Sequence, residues 1–196
     1  MKLFLHCCCG PCAVGSIPQF TAAGYEPYCW FYNPNIQPFQ EHKARRLAFV
    51  ELMEQLGLEY AVDPEYPLEE WLRHVAEHPE VRCDYCYRSR LTAAAAEAAR
   101  RGYSSYSTTL LVSPYQDHDS IRKIGENCGR QFGVTFAYLD LRPGFRIGQD
   151  EARTRGLYMQ KYCGCIYSEK ERYQKKPKRK QTSESLMEYQ VKEGLR

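Results

Sequence analysis

The chain has 196 residues, 43% of them hydrophobic and 13% aromatic, with 16 tyrosines and a net charge of +3. This composition excludes a disordered chain, contains no apolar run long enough to span a membrane, and fits a single domain with its own core. The charge is uneven: Lys170, Arg172, Lys175, Lys176, Lys178, Arg179 and Lys180 stand against Glu171 alone, so the body is slightly acidic and the positive charge gathers at one end.

Met1-Lys2-Leu3-Phe4-Leu5-His6 has too short an apolar part for a signal peptide, and His6 stands where a small residue would be needed before cleavage. The protein is therefore expected in the cytoplasm, where disulfides are disfavoured and the ten cysteines need another use.

In chain order, Lys2–Cys7 predicts a strand and residues 12–24 a helix stopped by Gly24. Tyr28–Tyr32 reads as an aromatic strand closed by the turn Asn33-Pro34-Asn35. Phe49, Leu52, Met53 and Leu56 share one face of a helix over residues 39–56, which stops at Gly57. Leu58–Val62 predicts a strand, and Leu68–His78 a helix presenting Trp71, Leu72 and Val75. Residues 84–101 predict a helix with a small-residue stripe of Leu91, Ala94, Ala95 and Ala98. Tyr103–Val112 reads as a buried strand ended by Ser113-Pro114, followed by a helix from about Ser120 to Phe132 and a strand over Val134–Leu139. The remainder reads as helix and then polar tail.

This alternation predicts an α/β fold: a single domain with a parallel sheet of about five strands and helices on both faces. We expect residues 1–170 to form the catalytic body and 171–196 a basic polar tail. Ligands of such sheets gather at the carboxyl ends of the strands. Cys8, Cys9 and Cys12 after strand one, and Ser113 through Asp119 after the fourth, should then line one crevice.

Seven of the ten cysteines fall into clusters once Cys7 is placed on the strand: Cys8, Cys9 and Cys12; Cys83 and Cys86; Cys163 and Cys165. Paired thiolates spread along a chain are what a soft-metal site needs, and seven are too many for one closed zinc site. An iron–sulfur cluster with a second metal uses them better. Cys7, Cys29 and Cys128 read as small buried apolar residues. Along an extended backbone Cys8 and Cys9 would point opposite ways, so both reach the crevice only if the strand has ended. Cys9-Gly10-Pro11-Cys12 also spells a thioredoxin-type motif, and a thiol–disulfide oxidoreductase is the main rival reading. Two preceding cysteines, the position nine residues from the start and four further paired cysteines stand against it.

His6-Cys7-Cys8-Cys9-Gly10-Pro11-Cys12, Cys83-x-x-Cys86, Ser113-Pro114-Tyr115-Gln116 and Tyr162-Cys163-Gly164-Cys165 together resemble the QueH-type epoxyqueuosine reductases, over about residues 3–170. The resemblance implies a HUP-like, Rossmann-like α/β fold. It also implies removal of the epoxide oxygen from epoxyqueuosine at the tRNA wobble position, with a 4Fe–4S cluster beside a second iron. Under that reading Cys83, Cys86, Cys163 and Cys165 are candidates to enclose the cluster, and Cys8, Cys9 and Cys12 to hold the second iron. Cys9, Cys12 and Asp117 are then the catalytic candidates, Asp117 as an oxygen ligand or proton donor; its plainer reading is a helix cap near Ser120. His6 reads as structural, and His118 as a surface or tRNA contact. Partners would be the tRNA anticodon region and an external low-potential electron donor.

Single-stranded bases are read by aromatic stacking and held by cations. Tyr85, Tyr87, Arg88 and Arg90 surround the second cysteine pair and Tyr115 lies by the crevice; Tyr115 and Arg88 are the substrate-binding candidates. Two further alternatives are a cluster-bearing ATP-dependent tRNA-thiolating enzyme, for which no nucleotide site is found, and a zinc-binding RNA module.

Deleting residues 175–196 removes Lys175, Lys176, Lys178, Arg179 and Lys180 with little apolar surface. The truncated protein should fold but bind tRNA more weakly at low salt, with the deficit shrinking as salt rises. Filter binding across a salt series checks this, and unchanged affinity at low salt makes the tail a bystander.

Overall fold

The computed structural model describes residues 1–174. In Lys2–Cys7 (β1), Leu3, Phe4, Leu5, His6 and Cys7 are all wholly inaccessible, so both faces of this strand are covered. That is the pattern of a central parallel strand, and continuous apolar sequence is its usual signature. β1 pairs in parallel with Glu26–Phe31 (β2) on one side and Ser105–Thr108 (β4) on the other. Tyr60–Val62 (β3) extends the sheet beyond β2, and Thr135–Phe136 (β5) extends it beyond β4. The order is β3-β2-β1-β4-β5, five parallel strands as expected. The chain winds outward from β1 to β3, then returns to the other side of β1 at β4. The reversal sets the segments that follow β1 and β4 side by side at the carboxyl ends of those strands, where sheets of this kind place their ligand crevice.

The helices are Gly10–Ala22 (α1), Phe39–Leu56 (α2), Leu68–Val75 (α3), Arg82–Arg100 (α4), His118–Phe132 (α5), Gly144–Thr154 (α6) and Ile166–Tyr173 (α7). α1 packs with α2 and α6, while α4 packs with α3 and α5. The two groups both cover β1, one to each of its buried faces. The expected span of α2 agrees with the structure at both ends, and its Gly57 stop adopts the left-handed conformation with φ 62°.

Several boundaries differ from the sequence reading. The run Tyr103–Val112 is not one strand: only Ser105–Thr108 is extended, and Thr109–Val112 forms a 3₁₀ turn. Thr108 starts that turn, its Oγ1 accepting from Leu110 N at 3.2 Å, a local competition that β-rich composition hides. β3 starts at Tyr60 because Leu58 N still bonds Met53 O at the end of α2. β2 lies at Glu26–Phe31, two residues earlier at its start than read. β5 shrinks to Thr135–Phe136, an edge strand held through a short register with β4. α4 begins at Arg82, before Cys83, rather than at 84; α3 ends at Val75, short of His78. α7 continues to Tyr173, past the expected body limit at residue 170. The basic run's Lys175, Lys176, Lys178, Arg179 and Lys180 lie outside the described residues.

The crossing of α1 and α6 is close enough to require glycine. A Cβ on Gly148 would lie 2.5 Å from Gly15 Cα, and one on Gly15 would lie 2.7 Å from Gly144 O. Gln19 secures the crossing from α1, its Nε2 donating to Gly15 O and Leu141 O at 2.7 and 2.9 Å. Because the clashing atoms are backbone, neither helix can yield without moving. Gly148→Ala should therefore lower stability by about 1–3 kcal/mol, seen as a lower denaturant midpoint at unchanged slope.

Candidate metal centre

β1 ends at Cys7, whose side chain turns into the core. Cys8 N then leaves the strand ladder and donates to Thr109 Oγ1 at 3.0 Å, across the crevice. Cys9 caps α1 from an extended conformation, and its Sγ accepts from Cys12 N at 3.4 Å. α2 crowds against this turn: a Cβ on Gly10 would lie 2.9 Å from Ala48 O. The result gathers the sulfurs of Cys8, Cys9 and Cys12 within 4.8 Å of one another. Among the described residues no other three potential ligands of this kind come so close.

Three thiols this close cannot all ionise without a cation. Hydrogen bonds from Cys12, Cys9 and Thr109, with Arg90 nearby, hold the Cys8 thiol well below its usual range despite burial. Burial pushes Cys9 up, and the neighbouring Cys8 and Cys9 sulfurs push Cys12 up. The set thus offers one thiolate readily and two at a cost that a soft metal would offset by displacing their protons. Gln160 covers it from the carboxyl side, with Nε2 at 3.0 Å from Cys9 Sγ and a buried Oε1 that has no protein partner.

The other four clustered cysteines arrive from two elements. Cys83 and Cys86 sit in the first turns of α4, the first exposed and the second buried. Burial lifts the Cys86 thiol to about 12, against the pull of Arg90. Cys163 is exposed, with Gln116 Nε2 at 3.5 Å from its Sγ. Cys165 caps α7 through its Sγ and packs with Trp71 and Val75. Cys83, Cys163 and Cys165 are close enough to Cys86 to raise its pKa further, but their sulfurs are not gathered as those of the trio are.

Arg45 fixes the late cysteine loop. It is 2% exposed, and its guanidinium donates to Cys163 O at 2.7 Å, Tyr162 O at 2.9 Å and Glu41 Oε1 at 2.7 Å. The loop after β2 holds the same segment: Tyr162 OH donates to Gln37 O, Gln37 N to Gly164 O, and Ile166 N to Gln37 Oε1. Sequence reasoning missed Arg45 and Gln37. The Glu41–Arg45 spacing is visible in the sequence, but it reads as an ordinary helix pair.

With this geometry in view, the chain matches the family described as "Epoxyqueuosine reductase QueH" over residues 3–171. The chain belongs to that family. It is 38% identical to the epoxyqueuosine reductase QueH of Dehalococcoides mccartyi over 174 residues, covering 89% of this chain and 96% of that one. To the protein of the same name from Thermotoga maritima it is 34% identical over 183 residues, covering 88% and 93%. The chain is thus an oxidoreductase. Among solved structures, a predicted subunit of tRNA methyltransferase from Methanocaldococcus jannaschii shares the fold, with TM-score 0.54 at 17% identity, covering 78% of this chain and 76% of that one. No helix among the described residues is long and apolar enough to cross a membrane.

Other singled-out residues of this QueH chain take definite places. Asp117 caps α5, its carboxylate accepting from Ser120 N at 3.1 Å and Ser120 Oγ at 2.7 Å; those bonds hold it below the usual carboxylate range. Its contacts are those of a cap. His118 is buried with Nε2 3.2 Å from Ser113 O, which corrects its reading as a surface or tRNA contact. Tyr87 and Arg90 are buried as well, so neither faces RNA. Tyr87 OH donates to Gln116 and accepts from Asp117 N, tying the Ser113–Gln116 loop to α4. Arg88 is exposed and paired with Asp84 at 2.6 Å, and Tyr115 is 83% exposed beside Phe145. His6 is structural, bonded to Thr108 Oγ1 and Tyr32 O at 2.8 Å each, with burial lowering its pKa to about 4. Cys7 and Cys29 are buried in the core, and Cys128 Sγ meets Thr92 Oγ1 at 3.4 Å.

The trio should bind a thiophilic divalent ion by itself. In a cobalt(II) titration followed by thiolate charge-transfer absorption, Cys12→Ser should weaken binding by more than the roughly 10–100-fold that loss of an outer-shell partner costs. Cys128→Ser should leave the titration unchanged.

Proposed function

We propose that the protein reduces epoxyqueuosine in tRNA to queuosine, in the cytoplasm, using a 4Fe–4S cluster, a second iron and an external low-potential electron donor. The family match across the folded body supports the reaction. The observation that carries the cofactor reading is the trio of Cys8, Cys9 and Cys12 with sulfurs within 4.8 Å of one another, with Cys83, Cys163 and Cys165 close enough to Cys86 to shift its pKa.

In this reading Cys83, Cys86, Cys163 and Cys165 enclose the cluster, and Cys8, Cys9 and Cys12 hold the second iron. The donor set fits: it is all sulfur, it has two buried guanidinium groups beside it, and it has two glutamine amides directed at ligand sulfurs. Bound iron would supply electrons and a Lewis-acidic position for the departing oxygen.

The overall change takes up two electrons and two protons: both C–O bonds of the epoxide break, a C=C bond forms, and the oxygen leaves as water. The chain's own residues do the rest. Hydrogen bonds from Cys12, Cys9 and Thr109 hold Cys8 as the thiolate of the trio. Gln160 restricts access of water to Cys9. Tyr115 offers an exposed ring at the crevice rim on which an unstacked base can lie, and Arg88 supplies a cation on the exposed side of α4. Asp117, which caps α5 through Ser120, is the remaining candidate for an oxygen ligand or proton donor.

Anaerobic protein supplied with dithionite and epoxyqueuosine-containing tRNA should form queuosine without ATP, cobalamin or flavin, as read by nucleoside analysis after digestion. It should carry sulfide and more iron than one 4Fe–4S cluster contains. Cys9→Ala and Cys12→Ala should each stop turnover. Activity from protein holding stoichiometric zinc and no sulfide, or an absolute requirement for ATP, would defeat the proposal.

A further inference from the structure

Two arginines are buried in the crevice wall, and they differ in what balances them. Arg45 and Arg90 are each 2% exposed. Arg45 has the Glu41 carboxylate at 2.7 Å. Arg90 has no carboxylate within ion-pair distance among the described residues; the groups around it that can carry negative charge are Cys86, Cys163, Cys8 and the Tyr87 phenol. A buried cation with no counter-ion is strongly unfavourable, so its balance has to come from sulfur.

Arg90 is also bonded to one sulfur directly. It lies one helical turn after Cys86 on α4, with one terminal guanidinium nitrogen 2.9 Å from Cys86 Sγ and Nε 3.0 Å from Cys86 O. The planar fork thus grips the residue at both its backbone and its side chain, which a lysine could not reproduce.

We propose that Arg90 is a positioning residue that sets the reduction potential of the metal centre, by donating to the Cys86 ligand sulfur and placing a fixed positive charge among the sulfurs. This rests on the cluster reading given under Proposed function. Adding an electron makes a thiolate-bound cluster more negative. A hydrogen bond to a ligand sulfur and a buried cation both stabilise that reduced form more than the oxidised one. Arg90 therefore raises the potential and makes a low-potential centre easier to reduce. It touches neither substrate nor the departing oxygen.

The test is a redox titration followed by electron paramagnetic resonance, on the anaerobically loaded full-length protein and three variants. Arg90→Met should keep iron and sulfide yet shift the midpoint negative by at least a factor of ten in the reduction equilibrium, about 59 mV for one electron. Arg90→Lys keeps the charge but loses the fork, and should shift less in the same direction. Arg101→Met, which removes a guanidinium stacked on Tyr28 away from the cysteines, should leave the midpoint unchanged. A loaded Arg90→Met protein with the wild-type midpoint overturns the inference. Should Arg90→Met fail to load, Arg90→Lys decides alone, and a wild-type midpoint there overturns it. Iron and sulfide are measured on the wild type first: their absence defeats the cofactor reading itself, whereas a loaded wild type with unmoved variants defeats only the role of Arg90.

Discussion

Between Cys7, the last residue of β1, and Gly10, the first of α1, the backbone has two residues in which to turn from strand to helix. That abrupt turn is what brings three sulfurs together. A strand one residue longer would send Cys8 and Cys9 to opposite faces. The turn is held from several sides at once: by Thr109 Oγ1 on Cys8 N, by the Cys9 cap on Cys12 N, and by the α2 backbone against Gly10. The turn lies at the point where the sheet reverses winding, with Cys8 half-buried and Cys9 and Cys12 buried beneath Gln160.

Around that turn the protein balances charge with unusual economy. The buried guanidinium groups of Arg45 and Arg90 each have cysteine sulfurs among the charged groups acting on them. Arg45 is compensated by Glu41 and uses its remaining donors on carbonyls, so its work is architectural: it ties the Cys163–Cys165 loop to α2. Arg90 has no carboxylate in ion-pair contact among the described residues and spends its donors on the carbonyl and sulfur of Cys86. Neighbouring residues of similar type thus do different things, and the difference lies in their partners.

The loops bearing the later cysteines have little regular structure, and they are ordered by polar contacts instead. Gln37 accepts from Tyr162 and Ile166 and donates to Gly164, all in the late cysteine loop, and Tyr87 bridges α4 to the loop before α5. Such contacts let exposed residues such as Cys163 and Tyr115 sit at the mouth while their backbones stay fixed.

The sequence by itself determined the class of fold, the helix at residues 39–56, and the three clusters of cysteines, because hydrophobic period, glycine stops and cysteine spacing are local properties of the chain. It also carried the family, through four motifs in a fixed order. It did not determine that the fourth strand stops at Thr108, since Tyr, Ser, Thr and Leu favour extended structure until a side-chain hydroxyl takes the Leu110 amide. Nor did it separate Arg88 from Arg90. The two are two residues apart on one helix, and helical geometry sends one to solvent beside Asp84 and the other into the wall beside Cys86. Asp117 is legible both as a ligand and as a cap, and the start of α5 at His118 gives it the contacts of a cap. In each case the deciding partner lies in a segment whose position only the tertiary structure sets, because burial and charge balance depend on what surrounds a side chain and not on its neighbours in the chain.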